Sequence, residues 1–242
     1  MNKHHLTLEL PSYLCDRNDR LYVWAAMRLF QEVAEHHSIA TGFGYKEMLE
    51  QNRIWILSRA YYIIYRLPRL SEKVMLSTWV RGADGLFAIR DYEMTSAEGQ
   101  TLMVGTAYWP LMDYAAHKPV RLNGILDNFA FNTVQATNRA TLSRLRLPDM
   151  SQPADHMDQP VRFAMIDHAQ HVNNAEYIKL IFDCLMQSDF DLDRPFSLEL
   201  NYNHETQPGD KLSLLRKRTD GIDWFQISNS RGLSVTSKVS AL

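Results

Sequence analysis

The chain has 242 residues, 45% of them hydrophobic and 22% charged, with a formal net charge of −2. That mixture can bury a substantial core and is neither disordered nor low in complexity. Near-neutral charge without any run of five Lys or Arg excludes the basic field that nucleic acid requires. Cys15 and Cys184 are too few for a disulfide framework or a cysteine-rich zinc site, and they fit a reducing cytoplasm. No stretch approaches the ~18 uncharged apolar residues that span a bilayer. The chain starts directly in an alternating strand pattern, so no cleaved leader is expected.

Residues 19–38 are predicted to be helical, because Val23, Ala26, Met27, Phe30, Val33 and Ala34 recur at helical spacing, with Asp19 as N-cap and Gly42 past the end. Runs rich in aromatic and β-branched residues then predict strands over 54–67, 73–80, 87–95 and 102–112, with a hairpin turn at 97–100. Pro119, Pro148, Pro153 and Pro160 interrupt this rhythm. A connecting segment is therefore placed at 116–158, between a first domain at 1–115 and a second at 159–242. A second amphipathic helix is predicted over 173–186, where Asn173 followed by Glu176 resembles a capping box. Strand signals resume at 196–204, 211–218, 224–228 and 233–239.

Both halves share the order strand, long helix, several antiparallel strands, and can be overlaid as an internal repeat. The overlay pairs Asp16 with Asp167, Arg20 with His171 and Glu32 with Asp183; further on it pairs Tyr62 with Tyr202, Tyr65 with Glu205 and Pro68 with Pro208. One helix lying across a curved antiparallel sheet, used twice, predicts an α+β chain of two fused hotdog domains.

The densest polar cluster, Asp167 to Asn174, precedes the second helix. Unpaired N–H groups of a helix's first turn carry a partial positive charge and suit a developing oxyanion. His171 and Glu205 are the candidates to take a proton from water. Their counterparts in the overlay, Arg20 and Tyr65, are not general bases at neutral pH, so only the second half is expected to catalyse. Each residue also has a plain structural reading: His171 as a helix-entrance residue, Asp167 closing a turn as Asp16 would, Glu205 as a surface strand residue, Asn173 and Asn174 as caps. Adjacent His36 and His37 diverge by about 100° on a helix and form no one-face metal pair. No metal or cofactor is implied.

These segments resemble the fatty acyl-acyl-carrier-protein thioesterases, tandem hotdog enzymes that end fatty acid elongation in plant plastids and many bacteria. The resemblance rests on Trp55-Ile56-Leu57-Ser58-Arg59, Leu86 to Asp91, Trp109 to Asp113, the cluster ending His171-Val172-Asn173-Asn174, and Leu200 to Thr206. It implies a cytoplasmic hydrolase of lipid metabolism whose partner is an acyl carrier protein bearing a fatty acyl chain. The Asp and His of the family's Asp-x-Asn-x-His motif fall on Asp167 and His171, and its strand Glu on Glu205. The motif's Asn is Ala169 here, and the Cys that follows the Glu is Thr206. An alcohol is a far poorer nucleophile than a thiol, so water is expected to attack, with Asn173, Asn174 and Thr206 positioning substrate or oxyanion. Trp24, Phe30, Trp55, Phe87 and Trp109 are either core or walls of an acyl tunnel, and Arg66, Arg69, Lys73 and Arg216-Lys217-Arg218 offer cations to an acidic carrier. A hydroxyacyl dehydratase and a noncatalytic acyl-binding module are the rival readings. Fusion supplies the pairing that single hotdog subunits obtain by dimerising; a homodimer of the fused chain stays open.

Overall fold

The computed structural model describes residues 3–242, so Met1 and Asn2 of the initial strand pattern lie outside the described residues. The chain divides into two compact units, Met1–Leu142 and Ser143–Leu242. In the first, β1 (His4–Glu9) and a 3-10 turn (Ser12–Leu14) precede the long helix α1 (Val23–Ala40) and the short α2 (Tyr45–Glu50). Then follow β2 (Arg53–Trp55), β3 (Arg59–Ile64), β4 (Lys73–Asp84), β5 (Phe87–Ser96), β6 (Thr101–Asp113) and β7 (Lys118–Val120). The strands order as β1-β4-β5-β6-β3, each antiparallel to its neighbour, with β2 and β7 pairing the far end of β6.

The second unit repeats the plan. It contains β8 (Asp155–Pro160), a 3-10 turn (Phe163–Met165), α3 (Asn174–Leu185), β9 (Phe196–Tyr202), β10 (Lys211–Thr219), β11 (Ile222–Asn229) and β12 (Gly232–Ala241). Its antiparallel order is β9-β12-β11-β10-β8. Each unit is a long helix set with an antiparallel sheet, the α+β hotdog arrangement that the repeat predicts.

The helices form where apolar spacing demands. Val23, Ala26, Met27, Phe30, Val33 and Ala34 are all buried on α1, and Tyr177, Ile178, Ile181, Cys184 and Leu185 on α3. α1 begins later than composition suggests. Asp19 takes a left-handed φ of 60° inside a turn, and Tyr22 occupies the N-cap position. The single strand expected over 54–67 is two, β2 and β3, while β7 lies within the segment read as a connection and β8 begins in it.

That segment divides between the units. Its first part packs on the first sheet: Trp79 Nε1 donates to Val134 O at 2.7 Å, Arg59 donates to Leu142 O at 2.7 Å, and the Ala136 N–H donates to buried Asp91 at 3.0 Å. From Ser143 the contacts belong to the second unit, where Leu145 N–H donates to Asn201 Oδ1 at 2.5 Å and Lys217 donates to Asp149 O at 2.6 Å. Side chains anchor this stretch by side chain-to-backbone bonds, which hydropathy patterns do not reveal.

Gly105 lies on β6 opposite Tyr62 of β3 and Tyr92 of β5. A Cβ there would come within 2.4 Å of the Tyr62 ring, which stacks on Phe30 of α1 at a centroid distance of 6.1 Å. The missing side chain thus lets an aromatic layer close against the helix. Gly105→Val is expected to cost about 2–3 kcal/mol by overpacking; urea melts of the two proteins measure it, and an unchanged midpoint would show that the layer tolerates a Cβ.

Candidate active site

The site grows from a turn that the chain builds twice. In the second unit Ile166 and Val172 form an isolated antiparallel bridge, Asp167 N–H donates to His171 O at 2.9 Å, and Gln170 N–H donates to Asp167 O at 3.0 Å. Asp167 Oδ1 accepts the Ala169 N–H at 2.9 Å, and Gln170 takes φ 65°. The first unit repeats each of these bonds, with a Cys15–Leu21 bridge, Asp16 N–H to Arg20 O at 2.7 Å, Asp19 N–H to Asp16 O at 3.0 Å, Asn18 N–H to Asp16 Oδ1 at 2.8 Å and φ 60° at Asp19, and adds Arg20 N–H to Asp16 Oδ1 at 3.0 Å. An Asp at the first position fixes this geometry because its short side chain accepts an N–H two residues on. Asp167 therefore closes a turn, and the residue four positions later leaves it at the mouth of the long helix.

What leaves the turn differs. Arg20 folds back, its Nε donating to Asp16 Oδ2 at 3.0 Å. His171 points away from the turn: its Nε2 lies 3.0 Å from Glu205 Oε2. This hydrogen bond raises the His171 pKa above 6.5, burial opposes it, and the charges of Glu205 and Asp167 add to the rise while that of Arg231 subtracts. The pair is reachable, with 27% of the His171 side chain and 42% of that of Glu205 exposed.

Glu205 sits in the loop after β9, and the loop is tied on several sides. Val172 N–H donates to Thr206 O at 3.0 Å, and Asn203 N–H donates to Ser234 O at 2.8 Å. Thr206 is fully buried; its hydroxyl lies 3.1 Å from Ser234 Oγ and accepts from Asn229 Nδ2 at 3.2 Å. Asn229 also reaches Asp210 Oδ2 at 3.4 Å, and Arg231 pairs with the same carboxylate oxygen. Sequence reasoning missed Asn229, Asp210, Arg231 and Ser234. Their only signal was turn chemistry around Gly232, which speaks of a hairpin and not of a clamp.

The hydrogen bonds also revise the overlay. Val172 N–H binds Thr206 O, and its counterpart Leu21 N–H binds Pro68 O at 2.9 Å. The residue that answers to Glu205 is thus Leu67, two positions beyond Tyr65, because the two strand-to-loop transitions differ in register. Leu67 is buried and carries no titratable group.

At the mouth of α3, Asn173 is the N-cap, and its side chain accepts the Ala175 N–H at 3.0 Å while its carbonyl accepts from Glu176 at 2.9 Å. Its amide also reaches Asp167 Oδ2 at 3.4 Å. With Val172 and Asn173 N–H given to Thr206 O and Met165 O, the backbone N–H and side-chain amide of Asn174 are the donors left without a protein acceptor among the described residues of this mouth. The corresponding pair in the first unit is Tyr22-Val23, which offers no side-chain amide. Among the described residues no three His, Cys, Asp or Glu are grouped to hold a metal ion.

The chain matches the family models described as the acyl-ACP thioesterase N-terminal domain, over residues 1–129, and C-terminal domain, over 150–238. It is 25% identical over 209 residues to a chloroplastic palmitoyl-acyl carrier protein thioesterase of Gossypium hirsutum, covering 81% of this chain and 50% of that protein. It is also 25% identical over 243 residues to the chloroplastic oleoyl-acyl carrier protein thioesterase 2 of Arabidopsis thaliana, covering 94% and 66%. The chain thus spans about half to two thirds of the length of these curated relatives. Among solved structures it superposes on an acyl-ACP thioesterase from Bacteroides thetaiotaomicron with a TM-score of 0.84 at 22% identity, covering 99% of this chain and 97% of that one. For the 12:0-ACP thioesterase from Umbellularia californica the values are 0.86, 19%, 99% and 97%. At such identities the likeness is one of fold.

The raised His171 pKa has a consequence for stability. A histidine whose folded pKa exceeds its unfolded value of about 6.5 adds stability that is fully present below that value and is lost as pH rises through the folded pKa. Wild type is therefore expected to lose stability relative to His171→Gln as pH is raised from about 6 into the alkaline range. Urea midpoints of both proteins across that range test this; a constant difference would mean that the imidazole does not gain from Glu205.

Proposed function

Because the chain belongs to the acyl-ACP thioesterase family across both of its halves, we propose that it hydrolyses a fatty acyl thioester of acyl carrier protein to free fatty acid and carrier thiol. The observation that carries this reading is the His171–Glu205 contact of 3.0 Å at the mouth of α3, without an equivalent at the mouth of α1. A water molecule beside this pair gives up a proton to it as its oxygen attacks the thioester carbonyl. The carbonyl oxygen becomes an oxyanion, for which the Asn174 donors are the available partners. Collapse of the tetrahedral species breaks the C–S bond, and the pair returns the proton to the departing thiolate.

Asp167 acts through His171, holding the turn and adding negative charge, and Asn173 holds Asp167. Thr206 is assigned to anchoring the Glu205 loop, since its buried hydroxyl is engaged by Ser234 and Asn229. The first domain takes no part in proton transfer. We further propose a cytoplasmic setting, which the free cysteines support. No helix among the described residues is long and apolar enough to cross a membrane. Of the cations offered to an acidic carrier, Arg66 is bound to Glu72 at 2.7 Å, Arg216 to Asp155 and Asp223, each at 2.7 Å, Arg69 to Asn18 O at 2.8 Å and Lys217 to Asp149 O at 2.6 Å, which leaves Lys73 and Arg218 better placed to serve. Ala169 in place of the family's Asn favours the noncatalytic reading, and turnover decides between them.

Carrier protein loaded with saturated acyl chains is expected to release titratable thiol, with His171→Ala and Glu205→Gln each lowering kcat by about 10²–10⁴-fold. Wild-type kcat/KM should rise with pH through an apparent pKa above 6.5, and Glu205→Gln should bring that pKa down, because it removes the largest cause of the shift. Thiol release that survives in His171→Ala, or dehydration of a hydroxyacyl carrier without thiol release, would overturn the assignment.

A further inference from the structure

The first unit holds a cavity built from its own helix and strands. A cleft of about 620 Å³, open solvent included, lies between the α1 face bearing Ala34 and Ser38 and the strands bearing Val80, Ala88 and Arg90. Phe43, Trp55, Trp109 and Phe129 line its half-exposed rim, whereas Arg90 lies in its floor with 8% of its surface exposed.

The partners of Arg90 are unusual for a buried guanidinium. It donates to His37 Nδ1 at 3.0 Å, Thr78 Oγ1 at 3.3 Å and Ser38 Oγ at 3.0 Å. All three acceptors are neutral; burial and the Arg90 charge hold the His37 pKa down at about 4, so the ring is uncharged at neutral pH. Three of five N–H groups are thereby used, and among the described residues no carboxylate comes within ion-pair distance. The one carboxylate lining the cavity, Glu35, accepts the Tyr45 N–H at 2.9 Å and acts on Arg90 only through its charge, without an ion-pair contact.

The same chain shows how a buried Arg is otherwise treated. Arg216 of the second unit donates to Ser188 Oγ at 3.1 Å, just past α3, as Arg90 does to Ser38 near the end of α1. Yet Arg216 is neutralised by two carboxylates, Asp223 and Asp155. Arginine stays charged in a protein, and a buried charge without a counterion is costly unless something supplies one.

We propose that this cavity binds a chain-like or aromatic ligand whose inner end is a carboxylate, seated in a two-point bond on Arg90, with its apolar body against Trp55, Trp109 and Phe129. Planar guanidinium matches that headgroup in shape as well as charge. A free fatty acid and an acyl thioester with a carboxylate at its far end share this chemistry. The inference concerns binding alone and stands whether or not the chain hydrolyses thioesters.

Trp55 and Trp109 provide the readout through quenching of intrinsic fluorescence. The full chain is titrated with dodecanoate, methyl dodecanoate, and the coenzyme A monothioester of dodecanedioic acid. Dodecanoate is expected to bind at least about tenfold more tightly than its uncharged methyl ester, the discrimination that one charge-assisted bidentate contact supplies. Tight binding by dodecanoate alone identifies the free acid as the source; binding by the monothioester as well extends the site to acyl groups with a terminal carboxylate. Arg90→Met should abolish the preference for the acid. Should that variant fail to fold, Glu35→Gln gives the independent check, since removing a negative charge from the lining should tighten dodecanoate binding and leave the ester unchanged. Equal affinity for acid and ester, or no binding of either, overturns the proposal, whereas loss of thiol release in the earlier assay bears only on the catalytic reading.

Discussion

Everything at the candidate site depends on a seven-residue turn closed by an aspartate. Its carboxylate takes the N–H two residues on, the third residue flips to positive φ, and the fourth emerges at a helix mouth. Because the turn is built twice with the same bonds, its contribution to catalysis cannot be the turn itself. The difference lies in where the emergent cation finds its carboxylate. Arg20 finds it inside the turn, on Asp16. His171 finds it on a separate loop, at Glu205, and the space between turn and loop becomes a place where a proton can be moved. Reach and protonation explain the divergence: a guanidinium is long enough to fold back and never titrates usefully, whereas an imidazole is short, rigid and titrates near neutrality.

A carboxylate on a half-exposed loop holds its position only if the backbone is restrained, since ordering each residue costs on the order of 1–2 kcal/mol. The Thr206, Ser234, Asn229 and Asp210 bonds supply that restraint. Thr206 is therefore a better residue for this place than its bulk alone suggests. A hydroxyl both donates and accepts, so it can bridge Ser234 and Asn229 at once. The tie converts a mobile acid into one fixed near 3 Å from its partner, the kind of preorganisation from which rate is drawn.

Much of this was legible in the sequence, and for physical reasons. The two long helices were readable because burial of one face forces apolar spacing. The strands from β4 to β6 and from β9 to β12 were readable because both flat faces select aromatic and β-branched residues. β8 was not, because Asp155–Pro160 alternates half-buried and exposed positions on a sheet edge and fills most of them with polar residues, so hydrophobicity carries little signal. The start of α1 was misplaced because Asp19 has the composition of a cap and the geometry of a left-handed turn residue, two uses of the same short polar side chain. His171 and Glu205 could be named from motif and repeat together, but their contact could not be measured there. Leu67 shows the limit of overlaying halves by eye: a slip of two residues preserves the inward or outward direction of every strand position and therefore leaves the hydrophobic pattern intact.

Fusion gives a further reason for the asymmetry. In a symmetric pair of identical hotdog subunits any substitution appears at both mouths, so neither can be spared for another purpose. Once the copies are joined in one chain, each can drift under its own demands. The second unit spent its polar residues on a restrained His–Glu pair, two asparagines at the helix mouth, and a fully neutralised Arg216. The first has Tyr22 and Val23 in place of those asparagines, pairs Arg20 with Asp16, and holds a buried guanidinium beside an aromatic cavity. These are complementary choices. A unit relieved of proton transfer can hold a buried guanidinium without a contacting carboxylate, because the histidine that touches it does no chemistry: burial first, and the Arg90 charge second, keep His37 neutral.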